Sequence, residues 1–312
     1  MRTFLCMILL LGWGLAPAHA QTSRSVIWAH PNGAYYWSLF SAIDQGFARE
    51  EGIAITDTTT DNPAQAMQML VTGVVEVISM TPEVAISAIE KGADLAIIGT
   101  ENAKVGWSLI ARPEINSVAD LRGKILGVTQ LEEASGTMLK LLLEKKGVKP
   151  SDYNVVALGG TPNRFAALKG GAVAATLLTP PSDFAAQSDG MRKLGDTFEA
   201  FSGAGVAFVT QRRWAAKNSD ALERFLRTAA RGSAWLYEPA NRDKACAILA
   251  KLFSSSNADA ERNYDLMIGS GIIARDLSVG DAQIQPWLSL RGSSNPVSRF
   301  IDASYLQRAL GK

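Results

Sequence analysis

The sequence is poor in the groups that build covalent or metal-based chemistry. Its 312 residues hold only two cysteines, Cys6 and Cys246, and two histidines, His19 and His30. If a leader ending near residue 20 is removed, one of each remains. No intrachain disulfide can then form, so the fold must rest on its core. A lone His30 excludes a multi-histidine metal site and a histidine-based triad. No constellation of acid, base and nucleophile can be assembled, so neither catalytic residue nor metal ligand nor cofactor site is read. Charge of either sign is not in excess, at 31 basic and 30 acidic residues. That leaves no basic footprint for nucleic acid. Repeats, charge blocks and low-complexity tracts are missing, and beyond residue 20 no apolar run is long enough to span a bilayer.

What the chain does have begins at its N-terminus. Arg2 precedes an apolar run from Phe4 to Leu15, and Ala18-His19-Ala20 is a small-x-small cleavage site. The run is well short of the roughly 20 residues of a spanning helix. The pattern is that of a signal peptide, residues 1–20, cut after Ala20. No cysteine follows the cut, so a lipid anchor is not indicated and the product is expected in the periplasm.

The mature half alternates short β-like runs with helical ones. Strand-like stretches at 25–29, 53–58, 74–79 and 95–99 are separated by helical ones at 36–49, 63–72 and 82–91. Pro near helix starts and Gly just past their ends punctuate them. A second unit repeats the pattern, with strands at 124–129, 153–158 and 172–178 and helices at 135–146, 162–169 and 181–187. Alternation of this kind implies mostly parallel sheets flanked by helices. From Asn218 the texture turns helical, with runs at 219–237, 242–253, 258–268 and 297–310. A chain that leaves its first lobe and later returns fits this order. Lobe one is expected at 24–110 plus 206–312 and lobe two at 111–205, with extended crossings near Gly106 to Pro113 and Phe201 to Val209.

Five segments, in order, carry a family resemblance: AIDQGFAREEGI at 42–53, QAMQMLVTGVVEV at 65–77, INSVADLRGKILGV at 115–128, FAALKGGAVAAT at 165–176 and NSDALERFLRTAARGSAWL at 218–236. Together they resemble the periplasmic solute-binding proteins of the sulfonate, taurine, nitrate and thiamine-pyrimidine type. Glu76 and Ala174 replace the Asp that usually follows G-x-V. The resemblance implies a two-lobe type II periplasmic binding fold with two crossover strands as hinge. It also implies a monomer that closes on a small molecule and docks to the membrane permease of an ABC importer.

Ligands of open α/β sheets bind beyond the carboxyl ends of the strands. The residues after each strand are therefore the candidate ligand-binding set: Asn32, Tyr35, Tyr36 and Trp37; Met80 and Thr81; Gln130, Glu132, Ser135, Gly136 and Thr137; Thr161 and Asn163; Thr179 and Pro180. Ser135-Gly136-Thr137 reads as an anion cradle, with a Ser N-cap, a glycine for close approach and a Thr hydroxyl. Ordinary helix capping is the plainer reading of the same triplet. Glu132 and Glu133 would repel an anion unless they face solvent or one pairs with an amine on the ligand. Three adjacent rings at 35–37 offer aromatic surface, though one must pack inward. Arg164 could reach a carboxylate or could sit solvated at the surface.

The resemblance, in whose family the Ser135 loop is a ligand loop, turns the reading toward a small organic anion, a sulfonate or carboxylate, possibly aromatic. A neutral heteroaromatic such as a pyrimidine or flavin precursor is the alternative within binding proteins. A sensor docking to a membrane kinase is the alternative outside them. An enzyme of similar fold makes the thiamine pyrimidine with a histidine directly before its T-G-L-Y loop and a cysteine-rich motif. Here Pro31 stands before Asn32, and His30 lies one place further back. Mass spectrometry of the exported protein is expected to find an unmodified chain beginning at Gln21; a retained leader would overturn the cleavage reading.

Overall fold

The computed structural model describes residues 24–60 and 63–311; the leader and its cleavage site lie outside the described residues. Ten strands form there: β1 Arg24–Pro31, β2 Ile53–Thr60, β3 Val77–Met80, β4 Leu95–Asn102, β5 Ser108–Ala111, β6 Ile125–Val128, β7 Asn154–Ala157, β8 Ala175–Leu178, β9 Arg192–Asp196 and β10 Val206–Gln211. They assemble into two five-stranded sheets, ordered β2-β1-β3-β10-β4 and β7-β6-β8-β5-β9. In each, three strands joined through helices run parallel, and the fourth, β10 or β5, runs antiparallel to both its neighbours. Both sheets are therefore mostly parallel, with one reversed strand apiece.

The sequence explains which strands are central. Every residue of β3, β4 and β10 is buried, as expected when both faces of a sheet are covered by helices. Along β10, Ala207 and Val209 face one core, with Ile78, Ile86 and Trp287. Val206 and Phe208 face the other, with Trp28, Trp37 and Phe225. That two-residue alternation is the strand period at work. On the second face the helix Trp37–Asp44 packs closely on Ser219–Tyr237. A Cβ at Gly232 would lie 2.0 Å from the Ser38 carbonyl oxygen, so only glycine permits the approach.

Two expectations in the C-terminal region are corrected. Residues 297–310 do not form one helix; a short 3-10 turn, Val297–Arg299, is followed by the helix Ser304–Ala309. The reason is Phe300, fully buried, whose carbonyl accepts the Ile97 N–H at 2.9 Å while Asp302 N–H donates to Ile97 O at 2.9 Å. The chain here is held extended against β4. The helix Asp281–Leu290 escaped the sequence reading because it contains Pro286, normally a breaker.

The chain passes between the sheets twice, at 103–107 and at 197–205. Ser108–Ala111 already pairs in the second sheet, so the first crossing lies earlier than the sequence suggested. The two crossings are tied together. The Thr197 hydroxyl donates to Val105 O at 2.6 Å and accepts from Trp107 N–H at 3.0 Å. Gly205 N–H donates to Asn102 O at 2.8 Å. Trp287 steadies the second crossing, its indole N–H donating to Ala204 O at 2.9 Å.

At the end of β4 a carboxyl is sealed into the first sheet. Glu101 is fully buried, with the Ser38 and Ser79 hydroxyls 3.1 and 2.9 Å away. Burial pushes its pKa up to about 8, against the opposing pull of those two hydroxyls. A carboxyl with a raised folded pKa is most compatible with the fold below its unfolded pKa, and its contribution worsens as pH rises toward the folded value. Glu101→Gln keeps the shape and both hydroxyl partners without the titration. We expect it to raise stability at pH 8 by about 1–3 kcal/mol and to converge on the parent near pH 4.5 (as denaturant unfolding at both pH values would show).

Candidate functional site

Because β1, β2 and β3 run parallel, their carboxyl ends share one edge of the first sheet; the register sets Pro31 beside Thr60. The ends of β6, β7 and β8 share one edge of the second, with Val128 beside Ala157. The reversed strands β5 and β10 begin at these same edges. A cavity of about 590 Å³ opens between the two sets of ends, lined by residues at or just after the strand ends of both sheets, by Trp107 from the first crossing and by Val206 at the start of β10. One backbone hydrogen bond spans the cleft beside it, from Ala34 N–H to Pro180 O at 3.2 Å.

Nine of the candidate residues line this cavity: Asn32, Tyr35, Tyr36, Met80, Thr81, Ser135, Thr161, Asn163 and Thr179. Six do not. Trp37 is fully buried in the core of the first sheet, edge-on to Tyr264 at 5.9 Å. The helix beginning there turns this ring inward, so Trp37 is not a cleft-edge aromatic. Pro180 meets the other side only through its carbonyl, as above. Gln130 and Glu132 are exposed and Thr137 lies one turn into the helix. Gly136 serves the loop itself, since a Cβ there would lie 2.3 Å from Leu131 O.

The expected cradle is arranged differently from the sequence reading. The helix is Ala134–Lys145 with Glu133 at its N-cap, two residues before Ser135. The Ser135 hydroxyl accepts the Thr129 N–H at 2.9 Å. It clips the loop after β6 while remaining on the cavity wall. With the helix start moved back, Glu133 lines the cavity and Glu132 turns to solvent.

Arg164 is the largest departure. It is not solvated: its side chain is buried, in the first turns of the helix Thr161–Lys169, and it lines the cavity. Its Nε–H donates to Leu177 O at 3.0 Å, and its Nη groups donate to Gly159 O at 3.0 Å, Thr161 Oγ1 at 3.0 Å and Thr129 Oγ1. Among the described residues no carboxylate pairs with it. Burial lowers its pKa to about 10, with Tyr35 pulling slightly the other way. Thr161 Oγ1 lies 3.2 Å from Thr179 Oγ1, so three hydroxyls stand over the guanidinium. Two of them already accept from Arg164, which leaves their protons to point elsewhere.

Other groups missed by the sequence reading are Thr60, Trp107 and Thr129. The first two follow from register and strand direction, which a single sequence does not display. Buried Tyr35 Oη and Thr60 Oγ1 have no hydrogen-bond partner. Burial, ahead of the charge of Asp183, pushes the Tyr35 hydroxyl well above its ordinary pKa. The described residues contain no group of acidic, histidine and cysteine side chains placed to hold a metal. No helix among them is long and apolar enough to cross a membrane.

Residues 34–242 match the family model described as NMT1/THI5 like. No curated protein matches the chain significantly. Among solved structures, it resembles a ligand-binding component of an ABC-type import system from Staphylococcus aureus, solved with zinc bound (TM-score 0.79, 11% identity, 92% of this chain and 99% of that one). It also resembles the periplasmic nitrate-binding protein NrtA of Synechocystis (TM-score 0.79, 13% identity, 93% and 89%). A third likeness is to the periplasmic aliphatic sulphonate-binding protein SsuA of Escherichia coli (TM-score 0.64, 22% identity, 78% and 79%). At these identities the likeness establishes the periplasmic binding protein fold.

The position of the two tryptophans carries a test. Trp107 lines the cavity and Trp37 is sealed away from it. Ligand-induced change in intrinsic fluorescence is expected to vanish in Trp107→Phe and to persist in Trp37→Phe; the reverse result would reject this placement.

Proposed function

Since the chain belongs to the NMT1/THI5-like family and holds an unpaired guanidinium in its cleft, we propose that it captures a small organic anion for an ABC importer. The observation that carries this reading is Arg164. A buried cation without a counter-ion is costly, and a bound sulfonate or carboxylate offsets that cost. The hydroxyls of Thr129, Thr161, Thr179 and Ser135 supply directed donors for its oxygens. Tyr35, Tyr36 and Trp107 give an aromatic wall for an organic body. The chain acts as a binder rather than an enzyme in this reading, since His30 is walled off among Trp28, Tyr36 and Phe40. Burial lowers its pKa, ahead of the opposing pulls of the Pro31 carbonyl and of Asp57, whose carboxylate lies 4.0 Å from its Nε2.

The proposed action is closure. The crossings at 103–107 and 197–205 serve as the hinge between a lobe built on the first sheet and one built on the second. A ligand touching both lobes shifts the population toward the closed form. The mature protein acts as a periplasmic monomer, and the closed form is the one that docks to the permease.

Arg164→Gln is expected to weaken sulfonate and carboxylate binding by about tenfold or more, the loss of a charge-assisted contact. Isothermal titration against a panel of aromatic and aliphatic sulfonates, carboxylates and neutral pyrimidines would measure it. Tight binding of a neutral pyrimidine, unchanged in the variant, would overturn the anion reading.

A further inference from the structure

The second sheet's half buries a carboxyl that does not line the cavity. Asp183, in the helix Ser182–Ser188, is fully buried. Its Oδ1 accepts the Phe184 N–H at 2.9 Å. Its Oδ2 lies 2.9 Å from the Ser108 hydroxyl, and that same hydroxyl lies 2.9 Å from Asp196 Oδ1. Ser108 has one proton and can donate to only one of the two carboxyls. The other contact is a hydrogen bond only if its carboxyl brings a proton of its own. Asp196 is the ionised member, because Lys193 Nζ lies 2.8 Å from the same Oδ1. The extra proton therefore belongs on Asp183 Oδ2. Asp183 then donates to Ser108, and Ser108 and Lys193 both donate to Asp196.

The surroundings agree with a neutral Asp183. Burial pushes its carboxyl up to about 6, against the pulls of Ser108, of Lys193 and of the Phe184 N–H; the charge of Asp196 adds to the rise. The other cations on the helices packed against it are engaged elsewhere. Arg164 bonds to Leu177, Gly159, Thr161 and Thr129, and Arg262 pairs with Asp259 and lies over the Phe184 ring.

The neighbours of Asp183 are covered from the first sheet's half. Ala34 N–H donates to Pro180 O at 3.2 Å. Arg262, on the helix Asn257–Gly269 that packs into the core of the first sheet, lies 4.6 Å from the centre of the Phe184 ring. Tyr35 brings a buried hydroxyl without a hydrogen-bond partner into the field of Asp183 and Asp196.

We propose that Asp183 is a proton-binding site filled by closing of the cleft: with the two halves in contact its Oδ2 holds a proton taken from solvent and donates it to Ser108, and separation of the halves hydrates the carboxyl and releases that proton. This rests on the closure reading given above. The closed form then binds one more proton than the open one. Acid favours it, most steeply between the ordinary aspartate pKa of about 3.9 and the raised value in the closed form. Well above that value closure gains nothing more from pH. Ligand capture is thereby strengthened in acidic surroundings, whatever the ligand.

The test is made on the ligand-free mature chain. Carbon-13 NMR of the aspartate carboxyls, with the Asp183 signal identified by its loss in Asp183→Asn, is expected to find Asp183 protonated at pH 5 and ionised at pH 8. Solution scattering should find the parent more compact at pH 5, with a closed-to-open ratio about tenfold higher than at pH 8. Asp183→Asn keeps the acceptor for Phe184 and donates to Ser108 through its amide, so it should be as compact at pH 8 as at pH 5. Asp196→Asn removes the like charge and turns the Ser108 proton toward Asp183. It should move both the titration and the compaction step toward acid. An Asp183 already ionised at pH 5 would overturn the proposal. So would scattering that is the same at both pH values while a sulfonate or carboxylate still compacts the chain, and in that case the closure reading survives. If neither pH nor any such anion changes the scattering, the closure reading fails and this inference fails with it.

Discussion

One guanidinium holds the cavity-facing side of the second sheet together. Arg164 bonds to Thr129 after β6, to Gly159 and Thr161 after β7, and to Leu177 in β8. The segment after β6, the segment after β7 and strand β8 are thereby fixed to one side chain. Its donors are nearly all satisfied, but its charge is not. Hydrogen bonds to carbonyls and hydroxyls solvate a cation without neutralising it. The site is thus built around an electrostatic imbalance, and the hydroxyl ring above Arg164 inherits its direction from it.

The same logic separates the two halves of the cleft. The first sheet's half contributes the rings of Tyr35 and Tyr36, while the second contributes the guanidinium of Arg164 and the carboxylate of Glu133. The Ala34 to Pro180 contact joins the two sides through backbone atoms, and the side chains of the cavity wall are what differ between them.

Much of the fold was legible because the elements are locally marked. Helices open at Pro63, Pro82 and Thr161-Pro162 and close at Gly73, Gly92 and Gly147, and runs such as VISM and ATLL can only be strands or buried helix. Topology was less so: that Ser108–Ala111 and Val206–Gln211 enter the sheets reversed depends on pairing across long stretches of sequence. The candidate site followed from strand direction at the level of loops and failed at the level of single side chains. Placing the helix start at Ser135 instead of Ala134 exchanged the roles of Glu132 and Glu133. Arg164 was left open because nothing local tells a buried guanidinium from a surface one; two of its partners, Thr129 and Leu177, lie 35 and 13 residues away in sequence. Trp37 follows two rings that do face the cavity, and the turn of the helix beginning there separates them.

The position of β10 has a consequence for the order of assembly. The second sheet is drawn from one unbroken segment, β5 through β9, and can close using residues already beside one another in the chain. The first sheet cannot. β3 and β4 each need β10, which comes after the whole second sheet in sequence. Until Val206–Gln211 arrives, both present a bare hydrogen-bonding edge of apolar residues, the kind that pairs with other chains. Contacts so distant along the chain form slowly. By this topology the half that comes first in sequence is the half that finishes last, and its β3 and β4 edges are the surfaces most in need of shielding before the fold is complete.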